Sequence, residues 1–133
     1  MVPVEQTRLS PDEGGNCHAA CIASILECPL EDVPQLLPGD AVSDAAWDEY
    51  RPRLNAWLRE RNLIELYFSA GDWKPTGYAI AGVKSVRFPG FEHAVVALNG
   101  EIVWDPHPGR ADGCGELVGW SVFQVIDPAL IDH

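Results

Sequence analysis

The sequence changes texture once, near residue 62, and that change limits the fold more than any other feature. Ahead of it, helix formers and apolar residues recur at helical spacing; behind it, short runs of β-branched and aromatic residues alternate with Gly, Pro, Asn and Asp. The run Cys17 to Glu27 is apolar on all sides and reads as a buried helix with Asn16 as its cap. Pro29 biases Cys28 away from helical dihedrals and predicts a stop near Glu27. A short turn over Glu31 to Leu37 is expected before Pro38 and Gly39. Asp44 reads as the cap of a second helix, Ala45 to about Arg61, with Trp47, Tyr50, Leu54, Trp57 and Leu58 on one face. Pro52 inside that run predicts a kink or split near Tyr50, unless a new first turn begins at Arg51.

Five strands are expected after the change: Ile64 to Phe68, Tyr78 to Val86, His93 to Leu98, Glu101 to Trp104 and Gly119 to Val125. Asn99 and Gly100 form the strongest turn signal in the chain, that of a type I′ hairpin joining the third strand to the fourth. Residues 106–115 read as a loop. Helices kept apart from an antiparallel sheet define an α+β domain, and 133 residues are enough for one core spanning 1–133.

Charge then removes whole classes of function. With 20 acidic and 9 basic side chains the formal net charge is −11, which argues against nucleic acid or an anionic membrane as partner. No apolar stretch approaches the roughly 18 residues of a membrane span, and residues 1–10 lack the basic and apolar regions of a secretory signal. Three of the four cysteines crowd into residues 17–28, unlike a disulfide framework, so reduced thiols and a cytoplasmic location are expected.

Cys17 stands where a nucleophile gains most. At the start of a helix, the first-turn amides and the helix dipole favour a thiolate. A thiolate of this kind works with an imidazole, and the imidazole needs an acceptor on its other nitrogen. His93 opens one strand of the hairpin and Asp105 closes the other. Reflection about the turn sets His93 opposite about residue 106, leaving Asp105 within side-chain reach.

The run Gly15 to Leu26, the downstream run His93 to Ala97 and the run Val103 to Pro106 together resemble the papain-like cysteine peptidase superfamily, in particular its bacteriocin-processing branch. The resemblance implies a papain-like fold with a buried central helix on an antiparallel sheet. It also implies Cys17 as nucleophile, His93 as general base and acid, and Asp105 as orienter of the imidazole. Two positions depart from the pattern: Pro11 stands where the family has its oxyanion glutamine, and His18 follows the nucleophile. Gln6 is the nearest upstream glutamine and takes the oxyanion role if residues 12–15 fold it back beside Cys17.

The expected activity is hydrolysis of a peptide or isopeptide amide through an acyl-enzyme, with a peptide or protein as substrate and neither cofactor nor metal. A transglutaminase-like acyl transfer shares the same residue order, and a catalytically inactive adaptor of the same fold is a further alternative. Outside that class stands a zinc module on Cys17, Cys21, Cys114 and His107. Cys21 reads as a core thiol and as the second choice of nucleophile; Cys28 and Cys114 read as structural. His107 is the substitute imidazole, His18 and His133 are expected to face solvent, and Trp104 is a candidate cleft wall.

Overall fold

The computed structural model describes residues 1–37 and 39–130, so Pro38 and His133 lie outside the described residues. Helix α1 covers Cys17–Leu26. It stops one residue short of Glu27, which takes the left-handed conformation at φ 56° and turns its N–H back onto the Ala23 carbonyl. Ala19 to Ser24 are all buried, and Ser24 turns its hydroxyl inward, donating to the Ala20 carbonyl at 2.8 Å and accepting from Val4 N at 2.9 Å. The amino-terminal segment is thereby laid along α1. Past the helix, only Leu30–Asp32 makes a 3-10 turn, so the turn expected through Leu37 is shorter than its sequence suggests.

Helix α2 runs unbroken over Asp44–Glu60. Pro52 does not split it. Pro52 and Asp48, whose carbonyl loses its donor, are both exposed, while Ala46, Tyr50, Leu54 and Leu58 keep one continuous buried stripe. Ser43, not Asp44, is the cap, and its hydroxyl accepts from Ala46 N at 3.1 Å. Ser43→Ala should cost about 1 kcal/mol of stability in urea titration, whereas Asp44→Ala should cost less.

The sheet has strands β1 (Leu63–Ser69), β2 (Tyr78–Ser85), β3 (Glu92–Leu98), β4 (Glu101–Trp104) and β5 (Cys114–Val125). They lie in the order β1-β5-β2-β3-β4, with every pair antiparallel. Asn99 and Gly100 both have positive φ, 52° and 84°, as a type I′ turn requires. A bulge between Val96 and Ala97 then shifts the β3–β4 register, pairing Val96 with Trp104, so continuing the pairing sets His93 against residue 107 instead of 106. β5 begins at Cys114, five residues ahead of the expected start. Its irregular first half follows the β2 bulges near Val83, and a side chain at Gly115 would meet the Lys84 carbonyl at 2.7 Å.

The core has two parts. Ile80, Ala94 and Val96 face the helices and pack with α1 and α2; Ala79, Ala81, Val95, Ala97 and Trp120 form a second cluster. No helix is long and apolar enough to cross a membrane among the described residues.

Candidate active site

Asn16 decides how α1 begins. It occupies the cap position but makes no capping bond with its side chain. Its Oδ1 instead accepts from Thr7 N at 3.0 Å and Arg8 N at 2.8 Å, while its Nδ2 donates to Thr7 Oγ1 and Gln35 Oε1, each at 2.9 Å. The capping role read from sequence is therefore corrected: a side chain engaged by the 7–8 backbone cannot also reach the helix. The amides of Cys17, His18 and Ala19 find no acceptor among the described residues. They open a helix whose first residue is Cys17, at the wall of a cavity of about 490 Å³, inside the range of roughly 300–1,000 Å³ common for ligand sites.

His93 sits second in β3, beyond the last pairing of β4, and is buried with Asp105. Its Nε2 lies 2.7 Å from Asp105 Oδ1. That leaves Nδ1 for another partner, and Cys17 lines the same cavity as the ring and bears on its titration. Burial pulls the imidazole down; the hydrogen bonds to Asp105 and Cys17 and the charges of both outweigh it and hold His93 up to about 9. Burial pushes Asp105 up, but the hydrogen bonds from His93 and the His107 amide prevail, and the carboxyl lies below its ordinary range.

Asp105 is more heavily engaged than sequence reasoning suggests. The His107 N–H donates to Oδ1 at 2.9 Å, and the Cys114 thiol donates to Oδ2 at 3.5 Å. Burial, then the Asp105 charge, push Cys114 up to about 11. Cys114, read from sequence as structural, is thus a neutral donor to the Asp105 carboxylate from the start of β5. The His107 ring accepts from Gly109 N at 2.8 Å and stands edge-on to His93 at 6.3 Å. Among the described residues it has no carboxylate partner of its own.

Gln6 lines the same cavity as Cys17 and His93. It is held by its backbone N–H on the Pro106 carbonyl at 3.0 Å and by Nε2 donating to the Arg8 carbonyl at 2.9 Å. One Nε2 hydrogen stays uncommitted, and Oε1 is buried without a partner among the described residues. Cys21 is fully buried and pushed up mainly by burial, which sets it in the core. His18 does not face solvent: Nε2 lies 2.8 Å from Glu65 Oε2, whose other oxygen takes Arg51 Nη1 at 3.0 Å. Burial pushes Glu65 up, but the charge and hydrogen bond of His18, with Arg51 and Ser121, keep its carboxyl low. Trp47, not Trp104, walls the cavity; Trp104 turns its indole N–H onto the Val4 carbonyl at 3.1 Å.

Among the described residues no three His, Cys, Asp or Glu side chains converge to hold a metal ion, so Cys17, Cys21, Cys114 and His107 form no ligand cluster for the zinc alternative. No family model, curated protein or solved structure matches the chain.

Proposed function

We propose that the chain is a papain-like thiol hydrolase that cleaves a peptide or isopeptide amide, acting on a peptide or protein in the cytoplasm. The observation that carries this reading is the His93–Asp105 contact at 2.7 Å in a cavity that Cys17 and His93 both line. The Cys17 sulfur adds to the carbonyl carbon, and the oxyanion takes the Cys17 amide and the uncommitted Gln6 Nε2 hydrogen. Collapse breaks the C–N bond as the amine leaves with the His93 proton. Water, deprotonated by His93, then splits the thioester, releasing the acid and restoring the thiol. All four cysteines are free, in keeping with a reducing compartment.

Alkylation tests the reading. At pH 7, iodoacetamide should modify Cys17 well ahead of the other three thiols, as located by mass spectrometry. Burial is the leading cause holding Cys21, Cys28 and Cys114 high and therefore protonated. A Cys17 no faster than free cysteine would overturn the proposal and favour the inactive adaptor.

A further inference from the structure

We propose that the arm of the cavity running from Cys17 toward α2 is a recognition pocket for one bulky, uncharged side chain flanking the scissile bond, with Gly82 setting its depth. The assignment of that side chain to a cleaved substrate rests on the Cys17 reading above; the pocket itself does not.

Strand register builds one wall. Tyr67 pairs with Ser121, and Ser121 with Ile80, so the three stand in line on one face of the sheet, and Gly82 follows Ile80 on that face. All four line the cavity, with Trp47 and Tyr50 of α2 completing it. Trp47 and Tyr50 stack edge to face at 5.2 Å, giving the pocket a rigid aromatic side.

Gly82 is not required by the backbone. A Cβ there would meet nothing closer than the Glu92 Oε1 and Gly119 O atoms, both at 3.8 Å, and its φ is not in the left-handed region. At Gly119 next door, a side chain would strike the Phe68 carbonyl at 2.6 Å. Glycine in a strand interior weakens it, so a strand position that has room for a side chain and lacks one leaves space to the cavity it lines.

At the α2 end the buried carboxylate is already paired. Glu65, with a side chain only 2% exposed, is taken by His18 and Arg51, and the Arg51 guanidinium lies over the Trp47 ring at 5.3 Å. Asp44 and Glu92 also line the cavity but are exposed. A charged side chain set between Trp47, Tyr50 and Ile80 would lose its hydration, and Glu65, already met by His18 and Arg51, offers it no free counterion there. A flat or branched apolar group loses nothing there and covers aromatic surface.

Two measurements test this together. In the first, dipeptidyl chloromethyl ketones carrying Gly, Leu, Phe or Lys at either residue position react with Cys17, with each rate divided by that with glutathione. Leu or Phe at one position should react at least tenfold faster than Gly, and Gly82→Val should cut that ratio at least tenfold, with Gly82→Ala between. In the second, N-acetyl-phenylalaninamide and N-acetyl-glycinamide are titrated by NMR into Cys17→Ala with and without Gly82→Val. Preference for the phenylalanine ligand that Gly82→Val removes supports the pocket even if Cys17 proves unreactive, which would sink the hydrolase reading alone. Equal behaviour of Gly and Phe in both measurements, or a faster Lys reagent, would overturn the pocket.

Discussion

Replacing His93 by alanine should slow acylation of Cys17 by p-nitrophenyl acetate about 10²- to 10⁴-fold, the range that a positioned acid–base group contributes. The change removes more than a base. Asp105 loses the partner at 2.7 Å that explains its burial, and Cys17 loses the imidazole that lines its cavity. In the wild type, turnover of an amide should fall as pH rises through about 9, where His93 gives up the proton that the leaving amine needs. Alkylation by iodoacetamide needs only the thiolate and should show no such fall, so the two profiles part on the alkaline side.

The same imidazole ties the proposed chemistry to stability. Its folded pKa lies above the ordinary 6.5, so its contribution is complete below pH 6.5 and is lost as pH rises through about 9. The loss amounts to about 3 kcal/mol at most, read as a drop in urea midpoint between pH 6 and 10. His93→Ala should show a flatter curve over that interval. A variant that keeps wild-type acylation and the wild-type stability profile would remove His93 from the site.

What the sequence discloses about this site follows from how far apart the partners lie along the chain. His93 and Asp105 are joined by one hairpin, and the Asn99–Gly100 turn fixes its register from local dihedral preference alone. The bulge at Val96 escaped that arithmetic, yet a shift of one residue still leaves Asp105 on His93. The strand order and the three partners of Glu65 had no such local origin. Ser121 reaches Glu65 because β5 pairs with β1, and His18 because α1 lies on the same side of the sheet; a lone histidine after a cysteine carries no trace of either. Pro52 misled for the converse reason. Its helix-breaking tendency is local, while the buried stripe from Ala46 to Leu58 that overrides it is tertiary.

Asn16→Ala should lower stability by about 3 kcal/mol and the melting temperature by about 10 °C. Four hydrogen bonds end on this one side chain, which is 4% exposed. Its removal orphans two backbone amides at residues 7 and 8 and cuts the link to Gln35. The consequence extends to chemistry, because those amides belong to the segment that carries Gln6, whose own side chain is tied to the Arg8 carbonyl. Freed from Asn16, the segment no longer fixes Gln6 in the cavity that Cys17 lines, and acylation should slow at temperatures where the variant is still folded. Asn16→Asp separates the two effects. It keeps both acceptor bonds to residues 7 and 8 while losing the donors to Thr7 and Gln35, so it should recover most of the acylation rate with only part of the stability. Wild-type melting in Asn16→Ala would show that the amino-terminal segment is held well enough by its other contacts, such as those to Ser24, Trp104 and Pro106. Wild-type acylation in a destabilised Asn16→Ala would show that Gln6 needs no such support.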